Sequence, residues 1–145
     1  MKLSTRARYG IHAMYDLAVC GSDKPQPLKS IAERQSIPEA YLEQLMAALR
    51  KEGLVLSARG AQGGYTLSDA PGNITVGGII RALEGDLCMT DCLKFEDACK
   101  KSGACPTRLV VQKVSEGINA IVDGITLQDM IDDYKMRSGK GETNQ

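Results

Sequence analysis

Four of the chain's five cysteines fall inside one 18-residue stretch, CMTDCLKFEDACKKSGAC, as Cys88, Cys92, Cys99 and Cys105. Thiols this dense in sequence suit a disulfide framework, a metal or cluster site, or a redox switch. The spacing is C-x3-C-x6-C-x5-C. Structural zinc sites favour pairs of the C-x2–4-C kind, and only the first interval fits. Iron–sulfur clusters take cysteine thiolates from irregular loops, so the spacing permits a cluster and leaves zinc or a thiol switch open. Lys94, Lys100, Lys101 and Arg108 lie close in sequence, where they favour thiolates and offset a cluster's negative charge. The fifth cysteine, Cys20, ends the first helical segment and reads as a small buried hydrophobe. His12 is the chain's one histidine.

Composition narrows the classes. With 145 residues, 43% of them hydrophobic, the chain suits one domain with a core, or a small domain plus an association segment. Its longest run without Asp, Glu, Lys or Arg is the eleven residues Ala70 to Ile80, whereas a bilayer span needs about 20 apolar residues. No membrane helix is expected. The start, MKLSTRARYG, is positively charged but lacks the apolar stretch of a secretory signal. The expected compartment is therefore the cytoplasm, where disulfides are disfavoured. Lys plus Arg number 9 against 6 acidic residues up to Ser68, and 9 against 12 from Asp69 onward. A slightly basic first half is a weak pointer to a polyanionic partner. Enzymatic chemistry is not expected: one histidine leaves little acid–base capacity, no nucleophile motif is present, and RGAQGGY lacks the GK[ST] ending of a phosphate loop.

The elements that position these residues follow from spacing. After Ser4, a good cap, Ala7, Ile11, Met14, Leu17 and Ala18 recur at helical intervals up to about Gly21. DKPQP is a loop, and LKSIAERQ a short helix. Ser36 and Glu39 match the S-x-x-E capping box, with Pro38 tolerated in the first turn, and the third helix runs to Glu52 and stops at Gly53. LVLSA and GYTLS flank a glycine-rich tip, so Leu54 to Ser68 predicts a β-hairpin. Thr75 caps VGGIIRALEG, which ends at Gly85. From Pro106 a long helix carries the stripe Val110, Val114, Ile118, Ile121, Val122 and Ile125, followed by the short piece TLQDMIDDY. The fold class is mainly α with a small β-hairpin: a winged helix-turn-helix plus a long C-terminal helix.

On the third helix Leu42, Leu45, Met46 and Leu49 point inward, leaving Glu39, Ala40, Tyr41, Glu43, Gln44, Ala47, Arg50 and Lys51 at or near the surface. In a helix-turn-helix the second helix enters the major groove and its N-terminal residues meet base edges. Gln44 suits adenine and Glu43 suits cytosine N4, while Tyr41 and Arg50 suit phosphates. Arg59, beside glycines at the hairpin tip, suits a minor groove. Each residue alone is equally a solvated surface position; the ordered set of elements points to DNA.

The strings MKLSTRARYG, IAERQSIPEAYLEQL, LRKEGLV, RGAQGGY and ITVGGIIRALEG resemble the IscR/NsrR-type bacterial winged-helix regulators over Met1 to Tyr134. The resemblance implies a homodimer that crosses long C-terminal helices and binds a pseudo-palindromic double-stranded DNA operator, with Tyr41, Glu43, Gln44, Arg50 and Arg59 at DNA-contacting positions. Ala40 departs from a polar residue often found there. It also implies an iron–sulfur cluster, 2Fe-2S ahead of 4Fe-4S, held by Cys92, Cys99 and Cys105. Some relatives place a histidine three positions after the last cysteine, where this chain has Arg108, and others an acidic ligand where it has Arg8. Cys88 and His12 remain as fourth-ligand candidates. His12 reads alternatively as part of a solvated row with Arg8 and Asp16. The implied division is a DNA-binding domain over 1–85, a cysteine-rich loop over 86–105, dimerisation helices over 106–134 and a disordered tail over 135–145. Function is then transcriptional regulation sensing cluster status, redox state or nitric oxide. The alternatives are a cluster-free repressor responding to a metabolite or partner protein, and a zinc or thiol-switch regulator.

Overall fold

The computed structural model describes residues 3–21, 24–87 and 105–142. Six helices and one hairpin follow in the order α1 (Thr5–Cys20), α2 (Leu28–Gln35), α3 (Glu39–Lys51), β1 (Val55–Ala58), β2 (Gly64–Leu67), α4 (Val76–Glu84), α5 (Arg108–Asp123) and α6 (Leu127–Glu142), with a short 3-10 turn at Pro71–Asn73. This is a winged helix-turn-helix in which α2 and α3 form the pair and β1–β2 the wing. No helix among the described residues is long and apolar enough to cross a membrane.

Local signals account for most boundaries. The Ser4 hydroxyl accepts from the Ala7 amide at 3.0 Å and Thr75 from the Gly78 amide at 3.0 Å, each satisfying a free N–H of a first turn. Gly53, next after the cap residue Glu52 of α3, adopts φ 78°, a conformation that costs glycine little. The Ser36–Glu39 capping box does not form. Ser36 instead closes α2 in the left-handed region (φ 54°, ψ 43°), its amide donating to the Ala32 carbonyl, and α3 begins after extended Pro38 with no side-chain cap. Three residues must reverse the chain between packed helices, and the left-handed geometry that does so is incompatible with the extended backbone of an N-cap.

The core gathers Met14 and Leu17 of α1, Ile31 of α2, Leu42, Leu45, Met46 and Leu49 of α3, Val55 of the wing and Ile79 of α4, together with Leu127 of α6. A smaller cluster of Ala7, Val76 and Ile80 packs under Val122 and Met130. The connection from α5 to α6 is pinned to the entry of α4: the Val76 amide donates to the Ile125 carbonyl at 2.8 Å, and the Leu127 amide to the Ile74 carbonyl at 3.0 Å. Two pairs of helices thus share one frame.

Three expectations need correction. Cys20 is exposed, because α1 turns that side away from the core. Asp16 is no surface residue: it is 2% exposed, its carboxylate taken by Arg34 and Gln35. The chain also stays helical beyond Tyr134 to Glu142, supported by an Arg137–Asp133 pair one turn apart and by the Ser138 hydroxyl on the Tyr134 carbonyl.

Candidate nucleic-acid interface and cysteine segment

Residues 40, 43, 44, 47, 50 and 51 line one face of α3 at i, i+3, i+4, i+7, i+10 and i+11, and all are exposed. The side chains of Glu43, Gln44 and Arg50 make no hydrogen bond or ion pair with any described residue, so their polar groups are available to another molecule. Ala40 and Ala47 are short and let that face approach closely. Tyr41 is placed differently. Its ring is half-buried and meets Tyr9 of α1 edge to face, with centroids 5.8 Å apart and planes at 77°. The Arg8 guanidinium lies 6.0 Å over the Tyr9 ring, which brings a cation onto the same aromatic pair. Nothing in the spacing of Tyr41 announced its contact with Tyr9, since that contact joins different helices.

Arg59 follows β1 directly, is exposed and has no partner among the described residues. Gly60 beside it has φ 107°, a turn conformation suited to glycine. The register Val55–Leu67, Leu56–Thr66, Ser57–Tyr65 and Ala58–Gly64 sets the tip. Helix face and wing tip together expose unpaired donors and acceptors on two separate elements.

The cysteine segment is described only at its borders. Cys88, Cys92 and Cys99, with Lys94, Lys100 and Lys101, lie outside the described residues. Cys105 is half-buried, and its sulfur lies 3.0 Å from the Thr107 hydroxyl. The Thr107 hydroxyl and amide, then the Arg108 amide and charge, pull the Cys105 thiol below its ordinary value. A thiol so placed suits metal ligation as thiolate. His12 is exposed on α1, and among the described residues no three of His, Cys, Asp and Glu gather as a metal site.

Both borders meet α5. Cys105 precedes its first turn, and its carbonyl accepts from the Arg108 amide at 3.2 Å. At the other end, Asn119 Nδ2 donates to the Leu87 carbonyl at 2.9 Å while Asn119 Oδ1 accepts from Arg81 Nη2 at 2.6 Å. Arg81 also pairs with Asp123. One polar cluster therefore joins α4, α5 and the last described residue before the cysteines. Sequence reading missed it, because the partners are 32 to 42 positions apart.

The chain matches the Rrf2 model, described as an iron-dependent transcriptional regulator, over residues 3–133. The chain belongs to the Rrf2 family. It is a transcriptional regulator. The regulator IscR of Aliivibrio salmonicida is 38% identical over 144 residues, covering 99% of this chain and 85% of that protein. CymR of Bacillus subtilis is 40% identical over 130 residues, covering 90% and 89% respectively. Among solved structures, IscR of T. potens aligns with TM-score 0.78 at 47% identity, covering 94% of this chain and 90% of that one. The structure of CymR, the global cysteine regulator of B. subtilis, aligns with TM-score 0.73 at 38% identity, covering 90% and 95%.

Proposed function

We propose that this regulator acts in the cytoplasm as a homodimer that reads a double-stranded operator through Tyr41, Glu43, Gln44 and Arg50 of α3 and Arg59 of the wing. Cys92, Cys99 and Cys105 hold an iron–sulfur cluster in this reading, with His12 or Cys88 as fourth ligand. The observation that carries the DNA half is the exposed α3 stripe with its unpaired Glu43, Gln44 and Arg50. Gln44 and Glu43 specify bases, Arg50 and Tyr41 meet phosphates with Tyr41 oriented by Tyr9, and Arg59 probes the minor groove. The homodimer is supported by the stripe on α5, where Val110, Val114 and Ile121 are exposed on one face. A contiguous apolar face of this kind marks an association surface.

Cys105 fits a cluster ligand, since its neighbours favour thiolate, and the dense cysteines before it provide the remaining sulfur. When bound, a cluster supplies one-electron redox chemistry and a ligation open to attack by oxygen or nitric oxide. The chain's own part is to tie the segment to the reading head through Leu87, Asn119 and Arg81. A coupling of about 1–3 kcal/mol along that tie changes operator affinity about 5- to 150-fold.

Anaerobic purification, an absorbance spectrum and iron and sulfide analysis test the cluster. Protein without iron or labile sulfide, even after reconstitution, removes it. His12→Ala and Cys88→Ala separate the two ligand assignments, and an unaltered chromophore in both variants refutes both. Equal operator affinity of loaded and stripped protein removes the sensing role. The second reading, a cluster-free regulator of cysteine metabolism, is favoured by the likeness to CymR, the global cysteine regulator of B. subtilis. Colourless anaerobic protein that still binds its operator supports that reading.

A further inference from the structure

The wing has two strands of four residues, and an isolated hairpin of that size is marginal in water. Where its tip sits therefore depends on what holds its base. Gln26, in the loop between α1 and α2, pairs with Tyr65 of β2 through a single antiparallel bridge: the Gln26 amide donates to the Tyr65 carbonyl at 2.9 Å, and the Tyr65 amide to the Gln26 carbonyl at 2.8 Å. The approach requires glycine at 64. With φ 154°, a Cβ built there lies 2.2 Å from the Gln26 carbonyl oxygen and 2.7 Å from the Pro27 nitrogen, both rigid backbone atoms.

The Gln26 side chain is itself clasped. It is 7% exposed, with Nε2 donating to the carbonyls of Cys20 at 3.0 Å and Lys24 at 3.3 Å. Its Oε1 accepts from Arg34 Nη2 at 2.9 Å, and Arg34 grips buried Asp16 with Nε at 2.9 Å and Nη2 at 2.7 Å. A continuous chain of polar contacts thus runs from α1 and α2 through Gln26 to the inner strand of the wing. Every one of these buried groups is satisfied, which makes the arrangement rigid.

We propose that Gln26 is a positioning residue for DNA binding: without touching DNA, it sets the distance between the recognition helix and Arg59. This rests on the reading that Arg59 contacts the duplex. Removing the clasp leaves β2 held by its ladder to β1 and by Tyr65 and Leu67 against the core, so the tip is placed less precisely and the Arg59 contact weakens while the α3 contacts persist.

The full chain, bound to a duplex selected by the wild-type protein from a randomised library, tests this. Affinity is measured against salt for wild type, Arg59→Ala, Gln26→Leu, Gly64→Ala and both double variants with Arg59→Ala. Folding is checked by thermal melting, and the Tyr65 amide by hydrogen exchange. The expected result is that Gln26→Leu weakens binding about 5- to 20-fold and reduces the slope of log affinity against log salt by about one, as Arg59→Ala does. In the Arg59→Ala background it has no further effect, and the Tyr65 amide exchanges faster. Gly64→Ala behaves the same way and keeps the test available if Gln26→Leu does not fold. Folded variants with wild-type affinity and slope, or losses that add fully to that of Arg59→Ala, overturn the proposal. If Arg59→Ala itself changes nothing, the wing-contact reading fails and the positioning role with it. If Arg59→Ala weakens binding while Gln26→Leu and Gly64→Ala do not, only the positioning role fails.

Discussion

Arg81 holds Asp123 with both arms of its guanidinium, Nη1 on Oδ1 at 2.7 Å and Nη2 on Oδ2 at 2.8 Å, and so fastens α4 to α5. Gly77 lies beneath the pair, where a Cβ would come within 2.0 Å of Asp123 Oδ1. The Arg81 guanidinium holds the Asp123 carboxyl below the ordinary carboxylate range. A depressed carboxyl contributes stability that is present above its unfolded-state value and lost as pH falls through the folded one. Asp123→Asn is therefore expected to lower the melting temperature by a few degrees at neutral pH and to match wild type in strong acid. An unchanged difference across that range contradicts the linkage. Asp69, lowered by Asn73 and the Ala70 amide, titrates alike in both proteins and cancels in the comparison.

Asp16 is 2% exposed, whereas the Arg34 side chain that it binds is 36% exposed. Asp16→Ala strands a cation that still reaches water and removes the acceptor of Gln35. The expected cost is about 1–3 kcal/mol, below that of breaking a fully buried pair. Melting should drop by roughly 4–10 °C for a domain of this size. A loss under about one degree would show the pair to be energetically neutral.

The exposed face of α5 gives a separate test. Val110→Glu with Ile121→Glu places charge where apolar side chains would bury, at about 1.5–3 kcal/mol each in both copies. Sedimentation should show a dimer that dissociates at concentrations at least about 10,000-fold higher, with operator affinity falling in step. A wild-type oligomeric mass in this variant excludes α5 as the dimer contact.

Thr107 is the first cause of the lowered Cys105 thiol value. Thr107→Val is expected to raise the pH at which the Cys105 peptide of the metal-free protein is half-alkylated by iodoacetamide, because thiolate is the reacting form. Mass spectrometry of that peptide provides the measurement. An unchanged profile would assign the shift to the Thr107 amide and to Arg108 instead.

Base and backbone contacts separate on a panel of operator variants. Gln44→Ala should lose about 1–3 kcal/mol of discrimination at a single base pair, whereas Arg50→Ala should weaken all sequences alike and reduce the salt slope by about one. Uniform weakening by Gln44→Ala would remove it from base readout.

Much of this organisation is legible in the chain itself. Ser4, Thr75 and Gly53 act on neighbours within four positions, and the periodic Leu42, Leu45, Met46 and Leu49 describe their own inner face, so helix limits and the reading surface follow from short-range chemistry. The dense cysteines likewise mark a candidate sulfur site by composition alone. Periodicity states that a face exists and not what meets it. Only packing decided that Asp16 turns inward to Arg34, that Tyr41 leans on Tyr9, that Ser36 closes one helix instead of opening the next, and that the wing rests on Gln26. Each of these depends on partners brought together by the crossing of α1, α2 and the wing, which residues on separate elements reach only after the core has formed.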